Sequence, residues 1–413
     1  MTAVIPVAAL LLGASFLLMG HGLLTTLLPL RALSEAFSSF EIGILGASYF
    51  LGFGAGGLIG PYAIRRVGHI RAFAAMVAVI CIAVLAQAMF ASSVFWWVLR
   101  AMTGFCLATL YIIIESWLNE KSTNENRGIV FSVYAMISLS VIAIGQLSTT
   151  LANPMEFTLF SVAVILFSAS IFPVSMTKTA APAATQEVRI RLRYLIDLSP
   201  IALFGGLAIG LTNGAFWALG PVFAQRDPSD TGMVAAFMSV TVLAGALGQW
   251  PLGWASDRMD RRIVIILAAL GAAMAASGHV AAVYYWRVGI LPCAAIFGFF
   301  AFPLYAICAA HLNDFVESDG YVEAASGLLL VYATGAVVGS MFAASLMEFL
   351  GNEALFMFTA PVHGSLAVFA IYRMCCRKAP GRGEKLAFSD SLISAGTVAN
   401  LDPRPECDQE EHG

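Results

Sequence analysis

Two stretches decide how this chain is read: Pro61-Tyr62-Ala63-Ile64-Arg65-Arg66-Val67-Gly68-His69-Ile70-Arg71, and Gly253-Trp254-Ala255-Ser256-Asp257-Arg258-Met259-Asp260-Arg261-Arg262. Together they hold six of the 22 lysines and arginines in 413 residues, and long apolar runs flank both. The whole chain is 59% hydrophobic and only 11% charged, with a mean hydropathy of +0.84. Soluble domains are about a quarter charged. The deficit excludes a soluble enzyme and points to an all-α polytopic membrane protein. A net charge of −3 shows no bulk basicity, so nucleic acid is not expected as a partner.

Working outward from the two charged loops, the sequence divides into about twelve apolar stretches of membrane-spanning length. They run 5–30, 40–63, 72–92, 94–117, 128–151, 157–176, 198–224, 231–254, 263–284, 288–310, 324–346 and 354–374. The first lacks the basic leader of a signal peptide and reads as a retained span. One set of loops carries Arg65, Arg66, Arg71, Lys121, Arg127, Lys178, Arg189, Arg191, Arg193, Arg258, Arg261, Arg262 and the tail from Arg373. The opposite set carries only Arg31, Arg226 and Arg287. Positive loops stay in the cytoplasm, so both termini are expected there. The polar stretch 177–197 reads as a cytoplasmic linker between six-helix bundles at 1–176 and 198–376, and 377–413 as a cytoplasmic, disordered tail. Seven cysteines show no metal-ligand or disulfide spacing, and neither a metal nor a cofactor is expected.

The halves echo each other. Gly22 and Pro29 recur as Gly214 and Pro221, and Arg66 as Arg258, all at a spacing of 192. Tyr111 with Leu118-Asn119-Glu120 recurs at 194 as Tyr305 with Leu312-Asn313-Asp314. The shared order and near-constant offset indicate a parallel repeat of six spans, which transporters arrange around a central path.

The two charged loops resemble the G-xxx-D-R-x-G-x-R signature of the major facilitator superfamily. The second keeps Gly253, Asp257 and the arginines but has Asp260 where glycine is usual; the first keeps Gly68 and arginines but has Arg65 in the aspartate position and Pro61 in that of the glycine. The resemblance implies that the loop carboxylate caps a neighbouring helix and pairs with arginine, a latch that rocking halves make and break. Arg65, Arg66, Gly68, Arg71, Asp257, Arg258, Arg261 and Arg262 are therefore gating candidates, with plain positive-inside anchoring as the alternative, and Glu115 joins them as a candidate partner of a loop arginine in a cytoplasmic gate. Arg100-Ala-Met-Thr-Gly104-Phe-Cys-Leu-Ala108 is similar to the superfamily's R-xxx-G-xxx-A element, whose arginine is tied to substrate or proton coupling. Ala47-Ser-Tyr-Phe-Leu-Gly52, Glu115-Ser116 and Gly248-Gln249-Trp250-Pro251 resemble the bacterial YcaD-like branch, which implies a fold and an inner-membrane location but no substrate.

Arg100 lies about 9 Å inside its helix, where a cation faces a partner or wet cavity, or else snorkels outward. His21 reaches a similar depth and is a candidate proton carrier or anion contact. Glu115 is fifteen residues from Arg100, about 22 Å along a helix, so direct pairing is excluded. It is expected near the cytoplasmic mouth, paired with Arg127 or a span-two arginine, or simply solvated. Other polar groups within spans are Gln146, Asn213, Gln249, His279 and His363. The resemblance implies that spans one, four, seven and ten line the cavity, which selects Tyr111, Asn213, Trp217 and Tyr305. Gly335-Ala-Val-Val-Gly339 reads as a close-packing motif without a transport role. The expected function is secondary transport of a small organic solute, anionic or amphipathic, by a monomer in the lipid bilayer, with proton coupling open. Proton-driven multidrug efflux is the alternative, weakened because Ile144-Gly145-Gln146 has no proline after its glycine; a non-transporting sensor comes third.

Overall fold

The computed structural model describes residues 7–122, 127–176, 191–225, 230–316, 320–376 and 388, and they form helices without a strand. In order these are α1 (Ala8–Ser34), α2 (Ser39–Val67), α3 (His69–Met89), α4 (Ser93–Lys121), α5 (Arg127–Leu147), α6 (Thr158–Ser175), α7 (Leu192–Leu198), α8 (Pro200–Ala224), α9 (Thr231–Arg258), α10 (Arg261–Tyr285), α11 (Ile290–Ala301), α12 (Leu304–Asn313), α13 (Tyr321–Leu350) and α14 (Ala354–Cys376). Twelve spans among the described residues are long and apolar enough to cross a membrane.

Local chemistry sets the helix ends. Ser38 accepts from the Glu41 amide while the Glu41 carboxylate takes the Ser38 amide, a reciprocal cap that starts α2. Ser199 caps α8 through the Ala202 amide, with Pro200 at the first helical position. Span ten, expected as one run, crosses as two helices, α11 and α12, meeting at Phe302-Pro303. Proline lacks the amide hydrogen, and its ring clashes with the carbonyl four residues back. Of the expected linker, 177–190 lies outside the described residues; beyond it, the short α7 buries Leu195, and Arg191 pairs with Glu323 of α13 at 2.8 Å.

Helices α1–α6 pack on one another, as do α8–α14, and the halves meet chiefly along α2 with α13 and α5 with α9. The repeat reappears as packing. Gly22 admits the backbone of Ile142, and Gly214 that of Ala336. Gly104 admits the carbonyl of Tyr49, and Gly298 that of Thr241. Gly145 meets the carbonyl of Met19, and Gly339 that of Leu211. Each second-half residue lies 192 or 194 positions beyond its counterpart. In every case a side chain would collide with main chain, so the close crossing requires glycine. The α2–α13 seam is also built from small residues. Gly43 admits Ala344, and a methyl at Gly54 or Gly57 would come within 3.3 Å of Ala333 or Leu329, while Gly46 admits Ala218 of the neighbouring α8.

Candidate functional site

The crossing of α2 and α4 builds the charged part of the site. Gly52 and Gly56 face the carbonyls of Ala101 and Phe105, while Gly104 faces that of Tyr49. Backbones this close bring side chains of adjacent turns together. The Arg100 guanidinium carbon lies 4.5 Å from the centroid of the Tyr49 ring. His21 of α1 stacks on the same ring, 5.7 Å away with the planes 19° apart. Arg100 is 7% exposed and His21 8%. Neither Arg100 Nη1 nor His21 Nδ1 has a hydrogen-bond partner. An arginine at a helix centre costs roughly 2.5–3.5 kcal/mol even on the translocon scale. The tyrosine face returns about 2 kcal/mol in a desolvated setting. The unmet donor is what an anion would satisfy.

Arg100 and His21 line a cavity of about 370 Å³ between the halves, inside the range of about 300–1,000 Å³ usual for small-molecule sites. Tyr111, Asn213, Trp217 and Tyr305 line it too, so all six residues selected from the sequence for binding or coupling come together. His21 and Asn213 are repeat counterparts, as are Tyr111 and Tyr305. Asn213 Nδ2 donates toward the Tyr332 hydroxyl at 3.5 Å. The symmetry fails where the charge sits: Tyr49 and Arg100 correspond to Thr241 and Ala294 in the second half, and Glu115 to Ala309. Departures of this kind are where function is sought. The break in span ten places Phe302 in the same wall, where irregular backbone at membrane depth is tolerated.

Glu115, expected near the mouth, is buried and lines the cavity wall beyond Tyr111. The Arg127 side chain, one partner considered for it, lies outside the described residues. Sequence reasoning did not select Tyr49, Phe50, Phe53 or Tyr332, all of which line the cavity. The available signal was Tyr49 standing three positions before a glycine, in the fragment that carries the branch resemblance.

Apart from Glu115, which lines the cavity, the gating candidates sit at the two loops, away from the cavity lining. Gly68 alone separates α2 from α3, with φ of +85°, a conformation that side chains resist. Arg66 and Arg71 are exposed and Arg65 is half-buried. The second loop turns by other means. Asp260 caps α10 by accepting from the Arg262 amide at 3.0 Å and pairs with its guanidinium at 2.7 Å. Burial pulls the Asp260 carboxyl up, but the hydrogen bonds from Arg262 prevail and hold it below the ordinary carboxylate value. Arg261, 1% exposed, donates from Nε and Nη2 to the Asp314 carboxylate at 2.8 and 3.1 Å. Its Nη1 reaches Ser256 at 2.8 Å and Asp257 at 3.4 Å. Arg261 thereby ties α9 and α10 to the end of α12. Arg258 lies over the Trp254 ring at 4.2 Å. Of the tail, Phe388 alone is described: its amide donates to Asp257 at 2.8 Å, and its ring, on a residue 7% exposed, covers Gly253.

With this geometry in hand, known proteins provide a comparison. The family model described as Major Facilitator Superfamily matches residues 10–227 and 202–395. The protein named uncharacterized MFS-type transporter YcaD, from Escherichia coli, is 26% identical over 363 residues, covering 86% of this chain and 93% of its own length. Its counterpart from Shigella flexneri matches to the same extent. Among solved structures, the nucleoside transporter NupG superposes with a TM-score of 0.70 at 14% identity, over 92% of this chain and 100% of its own. A D-xylose-proton symporter does so with a TM-score of 0.66 at 15% identity, over 92% and 98%. At such identities the structures bear on the fold alone.

Proposed function

We propose, from the premise that the chain belongs to the Major Facilitator Superfamily, that it is a secondary active transporter of a small organic anion. The two halves rock about the α2–α13 and α5–α9 seams and expose the cavity alternately to either face of a bacterial inner membrane. Both termini lie in the cytoplasm, on the side of the arginine-rich loops. Arg100 binds the negative group, Tyr49 and His21 hold its guanidinium in place, and the Arg261–Asp314–Asp257 cluster braces one end of the second half.

One observation carries this reading: a buried guanidinium with an unpartnered Nη1 lines a cavity between two repeat-related bundles. A cation left in that position marks a substrate or ion path. The twofold presence of His21/Asn213 and Tyr111/Tyr305, one of each pair from each half, supports a pocket that both bundles share. Glu115 on the same cavity supports the competing reading, efflux of lipophilic cations.

Uptake of radiolabelled organic acids into proteoliposomes, with and without a pH gradient, tests the proposal. Charge-assisted hydrogen bonds contribute about 1.5–3 kcal/mol, so Arg100→Gln is expected to weaken anion transport by about tenfold or more. Unchanged transport in that variant removes Arg100 from the site. Arg100-independent export of lipophilic cations replaces the proposal with its competitor.

A further inference from the structure

Resting on the anion-transport reading above, we infer that the substrate is an aromatic monoanion: one flat ring joined by a short spacer to a single carboxylate or similar group. The lining is disproportionately aromatic. Eight of the 23 residues around the cavity are Phe, Tyr or Trp, against 11% of the chain. They form continuous walls instead of scattered contacts. On the first-half side, Tyr49 lies 5.9 Å from Phe53, which meets the edge of Tyr111 at 6.1 Å. On the second-half side, Tyr305 and Tyr332 meet at 5.0 Å. Phe50 bridges the two at 6.4 Å from Tyr332. Trp217 and Phe302 pair at 5.6 Å in the remaining wall. Ring faces and edges at these spacings receive another ring in offset or T-shaped contact.

The charge pattern sets the rest of the molecule. Arg100 stands seven residues into α4 and Tyr111 eleven further on, about 16 Å along the axis. A carboxylate on Arg100 Nη1 therefore leaves a ring, one short spacer away, among Tyr49, Phe53 and their facing partners. His21 Nδ1, also unpartnered, lies beside the same group. A second negative charge has no comparable place. Arg100 is the one arginine or lysine among the described residues that line the cavity, and the other formally charged residue there is the Glu115 carboxylate, so a second negative charge would leave water without a countercharge.

The experiment is binding to the purified full-length chain in detergent, by calorimetry and thermal stabilisation. The probes are phenylpropanoate, cyclohexylpropanoate with the ring saturated, phenylpropanol with the charge removed, phenylsuccinate with a charge added, hexanoate, and tetraphenylphosphonium. Phenylpropanoate is expected to bind about three- to tenfold more tightly than cyclohexylpropanoate. It is expected to exceed phenylpropanol and phenylsuccinate by about tenfold or more. Arg100→Gln should bring the acid down to the level of the alcohol, while Arg100→Lys retains a weakened preference for the acid. Equal binding of the aromatic and saturated acids, with Arg100 dependence intact, overturns the aromatic inference and leaves anion transport standing. Phenylsuccinate binding as well as phenylpropanoate overturns the single charge. Failure of every acid to bind, or tetraphenylphosphonium binding independently of Arg100, sinks both readings together.

Discussion

Replacing Gly104 with alanine tests the helix crossing on which the charged wall rests. The added methyl would overlap the Tyr49 carbonyl oxygen and lie 3.0 Å from the Phe53 amide nitrogen. Both are main-chain atoms of α2, so no side-chain rotation relieves the clash. Carbon–oxygen contact needs about 3.3 Å, so α2 and α4 must part by on the order of 1 Å. Forcing a methyl into a packed interior costs about 1–3 kcal/mol. Glycine to alanine inside a helix otherwise gains about 0.5–1 kcal/mol, which makes the sign of the effect diagnostic. Gly364 on α14 has open space where its Cβ would stand, so Gly364→Ala is the control. Thermal melts in one detergent should place Gly104→Ala below the parent protein and Gly364→Ala at or above it. Anion binding should weaken in Gly104→Ala alone, because Tyr49 retreats from the guanidinium now 4.5 Å away. Equal stabilisation by both substitutions, with binding untouched, would refute the crossing argument.

Arg261→Ala leaves the Asp314 carboxylate, 1% exposed, without its bidentate partner; the expected loss is about 3–5 kcal/mol in thermal or denaturant unfolding, and a loss of only about 0.5 kcal/mol would mean the pair is hydrated. Pro303→Ala restores an amide hydrogen at the break in span ten. It should leave stability equal or higher, slow exchange of backbone hydrogens around Phe302, and lower transport turnover; unchanged turnover would deny the break a role in the cavity. Gly253→Ala places a methyl 2.6 Å from Phe388 Cε1, so hydrogen exchange at the Phe388 amide should accelerate, and unaltered protection would show that the ring does not depend on that glycine.

The spans and the repeat were legible because they depend on composition and spacing, both written along the chain. The two-helix form of span ten was missed although Pro303 was in plain view, since a proline within an apolar run is also compatible with a continuous kinked helix, as at Pro29 or Pro251. Arg100 and His21 could be selected singly, because a polar group at membrane depth is conspicuous by its cost. Tyr49 could not. A tyrosine among apolar residues looks like packing until a second helix brings a guanidinium over its face. The Arg261–Asp314 pair was hidden for the same reason, its members being 53 residues apart. Glu115 was placed by helix length alone, which gave its separation from Arg100 but not how far the cavity extends.

The α2–α13 seam has a mechanical consequence. Interlocked leucines would have to unmesh before one half could move over the other, whereas a strip of glycine and alanine offers hardly any teeth. Gly43 and Gly57 lie toward opposite ends of that strip. One carbon atom added at either end is a shim, and the two shims pry at opposite mouths. In the proposed rocking cycle, the preferred lean would thus be reset by mutations that never touch the cargo.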